Sequence, residues 1–265
     1  MKRYFVTSDV HSAYSELMEI LNNKGFEIDN ENHILIICGD LFDRMDETVQ
    51  CYEFAKKMVE LNRLIYIKGN HENLLFECVD EIRKGYTPGY HHYSNGTMKS
   101  IAQLCGEFSE WIFYDPDVRT TIYPKMKPVL DFIKNNTVNY FELGDYIFVH
   151  SWVPTFTLDH LSNFRDADQN DWDAAMWGNP YEMAELTYEK VEGKTIVFGH
   201  FHTSWPRKHF HGEPEWGDDA NFDVYYGSGY VALDACVAYS KYLNCIVFEE
   251  DDNGVVKLLD KPENI

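Results

Sequence analysis

The sequence predicts an α/β fold in which two packed sheets carry helices on their outer faces. In the first part of the chain, short apolar runs alternate with amphipathic segments, a pattern typical of βαβ units and a mostly parallel sheet. The last part is a succession of short strands separated by turn signals such as Asn253-Gly254. With 265 residues, of which 45% are hydrophobic and 15% aromatic, the chain is long enough to bury a sizeable core.

Three strand–helix pairs open the chain. Each predicted strand is a short apolar run, and an amphipathic stretch follows it. The pairs are YFVTS at 4–8 with a helix at 14–24, ILIIC at 34–38 with a helix at 46–62, and LIYI at 64–67 with a helix at 72–84.

Residues 85–139 interrupt this alternation. They combine several glycines and prolines with two helical stretches, near 97–105 and 125–136. We therefore expect a single domain, residues 1–265, that carries residues 85–139 as a helical cap insertion.

Regular strands resume after the insertion. YFEL at 140–143 and YIFVH at 146–150 predict a hairpin around Gly144-Asp145. An irregular stretch at 151–193, with helices near 168–176 and 181–190, leads to the strand TIVF at 195–198. The closing strands are predicted in VYYGS, YVALD, YLNCIVFEE and VVKLL.

The composition favours a reduced, cytoplasmic protein. No apolar run reaches the roughly 18 residues of a membrane span, and Lys2 and Arg3 lead into a strand instead of a signal peptide. None of the six cysteines forms a CxxC pair. The formal charge of −21 disfavours nucleic acid and membrane partners, although bound divalent cations can reverse the sign locally. Solubility alone also explains the acidic excess.

Polar side chains follow five of the apolar strands at the point where each strand ends. Because ligands of open α/β sheets bind outside the carboxyl ends of the strands, we expect these side chains to lie together. The set comprises Asp9 and His11 after YFVTS, Asp40, Asp43 and Arg44 after ILIIC, Asn70 and His71 after LIYI, His150 after YIFV, and His200 and His202 after TIVF.

The spacing of these residues suggests how they act. Glycine precedes the polar group after three strands and permits a tight turn beside a bound group, at Gly39, Gly69 and Gly199. Two of the polar groups contain pairs two residues apart, Asp9 with His11 and His200 with His202. In an extended backbone such side chains point the same way, so each pair can address one ion.

The donor set indicates metal chemistry. Imidazoles with carboxylate and amide oxygens, and no cysteine, disfavour both a closed structural zinc site and a calcium or magnesium cage. Manganese, iron, zinc, cobalt and nickel all fit. Seven candidate ligands suit two ions about 3.5–4 Å apart. Each motif taken singly is also explained as an ordinary turn, but their joint occurrence after successive strands indicates a site.

At these motifs the sequence resembles the calcineurin-like metallophosphoesterase superfamily. The matching segments are SDVH at 8–11, GDLFDR at 39–44, GNHE at 69–72, VH at 149–150 and GHFH at 199–202. The resemblance implies a four-layer α/β/β/α sandwich with a dinuclear metal centre. It assigns Asp9, His11 and His202 to the first ion, Asn70, His150 and His200 to the second, and Asp40 as the bridge.

Within the superfamily, GDLFDR and GNHE resemble the branch of protein phosphatases and bacterial dinucleoside tetraphosphatases. This resemblance implies that His71 is the catalytic histidine, that Asp43 orients it, and that Arg44 clamps phosphate oxygens. The chain departs from the branch at Ser12 and Met45, at Ser151-Trp152 and in the second histidine of GHFH. These departures leave the subfamily open.

The sequence therefore predicts a dinuclear metal-dependent phosphoesterase that uses manganese, iron or zinc. A hydroxide that bridges the ions attacks phosphorus, and His71 protonates the leaving oxygen. Phosphoproteins, dinucleoside polyphosphates or other nucleotides, and small phosphomonoesters remain open as substrates. The alternative to an enzyme is a metal-stabilised protein-interaction scaffold without significant catalysis. The sequence does not indicate an oligomeric state.

Overall fold

Two β-sheets pack face to face in the computed structural model, which describes residues 1–107, 109–154, 164–187 and 191–260. The strands are β1 (Lys2–Thr7), β2 (His33–Cys38), β3 (Leu64–Ile67), β4 (Thr137–Val138), β5 (Tyr140–Leu143), β6 (Tyr146–Val149), β7 (Thr195–Phe198), β8 (Tyr225–Gly227), β9 (Tyr230–Ala232), β10 (Ile246–Glu250) and β11 (Val256–Leu258). The first sheet has the order β11-β10-β1-β2-β3-β4, and the second has the order β5-β6-β7-β9-β8.

Parallel pairing dominates the centre of each sheet. Strands β1 to β4 run parallel, with β10 and β11 added antiparallel at one edge. In the second sheet β6, β7 and β9 run parallel between antiparallel edge strands. The carboxyl ends of the parallel strands therefore lie at one edge of each sheet, as the sequence predicts.

Helices cover the outer faces of the sheets. They are α1 (Tyr14–Asn23), α2 (Thr48–Glu60), α3 (Asn70–Arg83), α4 (Tyr90–Ser94), α5 (Thr97–Leu104), α6 (Pro116–Asn136), α7 (Gln169–Ala175), α8 (Pro180–Thr187), α9 (Ser204–His211) and α10 (Val237–Ser240). The predicted α/β/β/α arrangement is confirmed. Within the described residues, no helix combines the length and the hydropathy needed to cross a bilayer.

Strand β2 shows why the central strands are continuous apolar runs. Ile36 and Cys38 face the second sheet and pack in the core between the sheets. Leu35 and Ile37 face the opposite way and pack against the helices. Since side chains alternate between the faces of a strand, a strand buried on both faces must be apolar at every position.

The second sheet is buried in the same way. Phe148 and Val197 contribute to the core between the sheets. Ile147 and Ile196 face outwards, where they pack with aromatic side chains that include Trp172 of α7. The described residues thus form one inner core and two outer cores.

The helices of residues 85–139 extend the outer core of the first sheet. Ile101 of α5 and Met126 of α6 are fully buried in the same cluster as Met58 of α2 and Val79 of α3. This segment therefore packs on the helical layer. Its role as a cap over the functional site stays a prediction.

The structure corrects the start of α6. The sequence predicts a helix near 125–136, but α6 begins at Pro116, after Asp115 caps the backbone N–H groups of Asp117 and Val118. Pro124 and Pro128 lie inside the helix. Proline disfavours a helix interior because it lacks an N–H group, but burial of the apolar face of α6 outweighs this local preference.

Other differences concern short or terminal elements. Helices α4, α9 and α10 are too short and too polar to show a clear apolar periodicity, and the sequence does not predict them. The helix predicted near 181–190 is α8, which ends at Thr187; residues 188–190 lie outside the described residues.

Candidate metal centre

The loops that follow β1, β2, β3, β6 and β7 meet at one edge of the two sheets. The backbone N–H of Asp9 donates to the carbonyl of Gly39 at 3.1 Å, and that of His11 donates to the carbonyl of Asp40 at 2.9 Å. The N–H of Gly199 donates to the carbonyl of His150 at 2.9 Å, which joins the loops of the second sheet.

The first ligand cluster contains His11, Asp40 and His71, whose ligand atoms all lie within 4.8 Å of one another. The Nε2 atoms of His11 and His71 lie 3.7 and 3.8 Å from Oδ2 of Asp40. Asp9 adjoins this cluster, with its Oδ1 3.9 Å from Nε2 of His11.

The second ligand cluster contains Asp40, His150 and His200. Nε2 of His150 lies 3.4 Å from Oδ1 of Asp40 and 2.8 Å from Oδ1 of Asn70. The rings of His150 and His200 are 4.9 Å apart. The two carboxylate oxygens of Asp40 therefore face different clusters.

The protonation of two histidines shows that the site fits a cation. Nδ1 of His11 donates to the carbonyl of Phe42 at 3.0 Å, and Nδ1 of His150 donates to the carbonyl of Cys38 at 2.9 Å. In the neutral ring each Nε2 then carries a lone pair, which faces carboxylate or amide oxygens. Lone pairs directed at other acceptors repel each other unless a cation lies between them.

A buried carboxylate oxygen supports the same fit. Oδ1 of Asp9 is buried and has no hydrogen-bond partner among the described residues. Oδ2 of Asp9 accepts the N–H of His200 at 2.8 Å. Buried polar atoms are almost always paired, so an unpartnered oxygen beside imidazole ligands is the position where a metal ion would bind.

The pKa values of the carboxyl groups reflect this concentration of charge. Burial raises the pKa of Asp9 well above its ordinary value, and the neighbouring carboxylates of Asp234 and Asp40 add to the rise. Burial acts in the same direction on Asp40, but His150 and the other imidazoles around it outweigh burial and lower its pKa. A cation would stabilise both groups as carboxylates.

The imidazoles are held in their neutral, ligating form. Burial lowers the pKa of His11 well below its ordinary value, with Arg44 and His71 adding to the effect. Burial and then His150 lower the pKa of His200 to about 3. Both rings therefore carry a free lone pair at neutral pH.

The backbone of these loops is strained. In the described part of the chain, seven of the ten non-glycine residues with positive φ lie here: Asp9, His11, Ser12, Asp40, Asp43, Arg44 and His200. Such conformations disfavour residues with a Cβ, and they cluster at functional sites. The expectation of an extended backbone at Asp9–His11 and at His200 is therefore wrong.

Two glycines make room for the ligand side chains. A Cβ on Gly39 would overlap the ring of His150, and a Cβ on Gly199 would overlap the carboxylate of Asp9. The sequence suggests that these glycines leave space for a bound group. In the structure the site's own side chains occupy that space.

His71 forms a buried pair with Asp43. Its Nδ1 donates to Oδ2 of Asp43 at 2.7 Å, and the same oxygen accepts the hydroxyl of Thr97 at 2.8 Å. Burial lowers the pKa of His71, but Asp40 and Asp43 outweigh burial, so its pKa lies above the ordinary value. Nη2 of the exposed Arg44 lies 3.4 Å from Nε2 of His71.

His202 makes different contacts. Its Nδ1 lies 2.8 Å from the hydroxyl of Ser204, its Nε2 lies 3.7 Å from Oε1 of Glu215, and its ring packs on Trp216. Neither ligand cluster in the described structure includes it. The assignment of His202 to the first ion therefore stays a prediction.

Glu72 has a larger role than the sequence indicates. Its buried carboxylate accepts the N–H groups of Asp40, Leu41 and Gly69 at 3.0, 3.0 and 2.7 Å, and the hydroxyl of Tyr66 at 2.7 Å. It thus joins the β2 loop to the β3 loop. The signal that could have identified it is its place at the third position of α3, where a glutamate side chain can accept the N–H of the N-cap residue, here Gly69.

Asp234, which follows β9, is a second acid that the sequence does not assign to the site. It is buried, and Oδ1 accepts the N–H of Cys236 at 2.7 Å. Burial raises the pKa of Asp234 to about 6. Its position after a strand of the second sheet is the signal that could have identified it.

A family model described as calcineurin-like phosphoesterase matches residues 2–204. Similar curated proteins include the asymmetrical bis(5'-nucleosyl)-tetraphosphatases PrpE of Bacillus velezensis and Bacillus subtilis, which are 32% and 30% identical over 79 residues. These alignments cover 28% of this chain and 32% of each relative. The chain thus matches about a third of the length of these relatives.

Solved structures share the fold over nearly the whole chain. A cold-active protein-tyrosine phosphatase of a Shewanella species matches with a TM-score of 0.50 and 13% identity, over 98% of this chain and 81% of that chain. A protein serine/threonine phosphatase from Saccharomyces cerevisiae matches with a TM-score of 0.50 and 12% identity, over 100% and 81%.

Proposed function

Since this chain belongs to the calcineurin-like phosphoesterase family, we propose that it is a metal-dependent hydrolase of phosphate esters. The observation that carries the proposal is the buried carboxylate of Asp40, whose two oxygens face two separate groups of imidazole ligands. A carboxylate shared in this way suits two adjacent ions.

The ligand assignment follows the sequence motifs, and the two clusters support it at His11, Asp40, His150 and His200. Asp9, His11 and His202 would hold the first ion, Asn70, His150 and His200 would hold the second, and Asp40 would contribute to both. Manganese, iron or zinc suits these mixed nitrogen and oxygen donors. When bound, two such ions lower the pKa of a water molecule and neutralise charge on phosphate oxygens.

Two further polar residues protonate the leaving group and bind the phosphate. His71 Nε2 delivers a proton to the leaving oxygen, because Asp43 fixes the ring through Nδ1 and raises its pKa. Arg44, exposed beside His71, binds phosphate oxygens with its guanidinium group. Asp40 Oδ1 also accepts the N–H of His71, which fixes the start of α3 against the ligands.

Hydrolysis of p-nitrophenyl phosphate with added Mn²⁺ tests this function. We expect turnover by the native protein, and a loss of at least about a hundredfold in Asp40→Asn, because that change disturbs both clusters. Asp145→Asn, at an exposed hairpin position, is the matched control and should keep full activity. A native protein without turnover at full metal loading would favour the metal-stabilised scaffold instead.

A groove next to Arg44 favours nucleotides over phosphoproteins as substrates. It has a volume of about 1190 Å³, and exposed aromatic side chains line it at Tyr93, Trp111 and Tyr114. Gln50 and Gln103 also line it. Aromatic faces stack on nucleobases, and amides can hydrogen-bond to base edges.

The groove adjoins the loop after β2, which contains Arg44. Lys99, which lines it, donates to the backbone carbonyl of Arg44 at 3.3 Å and pairs with Asp46 at 2.6 Å. Asp46 also lines the groove and lies two residues after Arg44. A phosphate held by Arg44 would thus place an attached nucleoside near the aromatic side chains.

A side-by-side assay of diadenosine tetraphosphate, a phosphopeptide and bis-p-nitrophenyl phosphate tests the substrate class. We expect the nucleotide to have the highest kcat/KM. Trp111→Ala should raise KM for the nucleotide about tenfold, as expected for one stacking contact, and leave p-nitrophenyl phosphate hydrolysis unchanged. Tyr86→Ala, an exposed aromatic away from the groove, is the control. A preference for the phosphopeptide would overturn the nucleotide assignment.

The cysteines support a reducing compartment such as the cytoplasm. All six are free thiols, and five are buried. The net charge of −21 argues against nucleic acid as a partner.

A further inference from the structure

A second group of possible metal ligands lies between α3 and α4. Glu77 of α3 and His91 and His92 of α4 each offer a ligand atom, and these atoms lie within 4.8 Å of one another. Glu81, one turn after Glu77 on α3, places Oε2 3.5 Å from Nε2 of His92. These four residues are separate from the ligands at the sheet edge.

His92 is the unusual member of this group. Its side chain has no exposed surface, and neither ring nitrogen has a hydrogen-bond partner within the ranges that the structure describes. Its ring lies only 3.9 Å from that of His91. A buried imidazole usually has at least one hydrogen-bond partner. Packing alone therefore does not explain why His92 is buried.

Simple ion pairing does not provide that explanation. Nε2 of His91 lies 3.6 Å from Oε1 of Glu77, but both side chains are about half exposed, so their attraction is weak. Oε2 of Glu81 already accepts the N–H of Gly89 at 3.1 Å. These contacts leave both nitrogens of His92 unpaired.

We propose that Glu77, His91 and His92 bind a divalent transition-metal ion, with the Glu81 carboxylate completing its coordination. Two imidazoles and two carboxylates form a mixed donor set that suits Zn²⁺ in a four-coordinate site. The ion gives one of the two buried nitrogens of His92 a partner. Mg²⁺ prefers an octahedral set of oxygen ligands and should not bind here.

The ion would stabilise the segment that supports Asp43 and Arg44. It joins α4 to α3, and α4 leads directly into Gly96 and Thr97. Gly96 packs against the backbone of Arg44, and Thr97 hydrogen-bonds to Asp43. Fixing α4 on α3 therefore fixes the segment that supports Arg44 and Asp43.

Zinc counting on the full-length protein tests this site. After equilibrium dialysis against Zn²⁺, elemental analysis should find about one ion per chain fewer in the double variant Glu77→Gln/His91→Ala than in the native protein. Both positions are half exposed, so the variant should fold. The matched control is Asp80→Asn/Tyr90→Ala, which changes exposed neighbours on the same two helices and should keep the native count.

The same comparison in the Asp40→Asn background separates this site from the sheet-edge centre. The difference of one zinc per chain should persist there, and dialysis against Mg²⁺ should show no difference. Equal zinc counts in the double variant and the native protein, or an equal loss in the control, would overturn the proposal. Because the readout is bound metal, an absence of phosphoesterase activity would not affect it.

Discussion

His71 has the surroundings of a general acid. Its Nδ1 donates a hydrogen bond to Asp43 at 2.7 Å, and both Asp40 and Asp43 raise its pKa against the effect of burial. Its Nε2 lies 3.8 Å from Oδ2 of Asp40, on the side of the metal ligands. The ring is therefore oriented by one carboxylate, and its other nitrogen lies beside the candidate metal ligands.

At this scale we expect His71→Asn to keep most of the metal and to lose at least about tenfold in kcat, given the usual contribution of general acids of about 10²–10⁴. Steady-state kinetics and elemental analysis of the same preparation measure both quantities. His209→Asn, a partly exposed histidine on α9, serves as the control. Full activity in His71→Asn would refute the assignment.

The sequence predicts which residue types gather at the sheet edge, because parallel strands bring their carboxyl ends together. It does not predict how each side chain is oriented. Asp9, His11 and His200 adopt positive φ, which the contact between the His200 N–H and the Asp9 carboxylate helps to maintain. Thr97 reaches Asp43 from 54 residues away through packing that no local pattern records.

At the scale of elements, Glu72 holds two strand-end loops together. It lies in the first turn of α3 and accepts hydrogen bonds from the loop after β2, so Asp40, Asn70 and His71 keep a fixed relative position. The same carboxylate accepts the Tyr66 hydroxyl from β3. The relative position of the candidate ligands therefore depends on a residue that is outside both ligand clusters.

We expect Glu72→Gln to lower the free energy of unfolding by about 1–3 kcal/mol, because the amide group places a donor against backbone donors. Metal affinity should fall about 10–100-fold, as for other groups that orient ligands. Chemical denaturation and metal titration measure these effects. Glu53→Gln, on the exposed face of α2, should change neither. Native metal affinity in Glu72→Gln would contradict this role.

Local sequence patterns predict the long helices better than the short ones. The apolar periodicity predicts α1, α2 and α3 within a few residues of their observed ends. It fails at the start of α6, where Pro124 and Pro128 suggest a break and tertiary burial overrides them. Short polar helices such as α4 depend on neighbours for their stability, and their own sequence does not reveal them.

At the scale of the whole molecule, ion pairs join the edge strand β5 of the second sheet to two segments that follow it in the sequence. Glu142 of β5 accepts two hydrogen bonds from Arg165, at 2.6 and 2.9 Å, and one from Lys194 at 2.5 Å. Arg165 and then Lys194 lower the pKa of Glu142 from 4.5 to about 2. The folded state therefore favours the ionised carboxylate more than the unfolded chain does.

This shift predicts how stability depends on pH. Because the folded pKa lies below the unfolded one, the contribution of Glu142 is present above about pH 4.5 and is lost as the pH falls towards 2. Glu142→Gln should lower the free energy of unfolding by about 1–2 kcal/mol at pH 7, after allowance for solvent screening.

Denaturation curves of Glu142→Gln and the native protein from pH 7 to 2 measure this difference, which should vanish near pH 2. Glu60→Gln, on the exposed side of α2, is the control and should match the native protein throughout. A difference that stays constant with pH would show that the pKa of Glu142 is not lowered in the folded state.

An anomalous difference map from crystals soaked in Mn²⁺, recorded at the manganese absorption edge, tests directly whether two ions share Asp40. We expect two peaks about 3.5–4 Å apart, with Asp40 between them and one of its oxygens bonded to each. A map without a peak at bonding distance from either oxygen of Asp40 would contradict it.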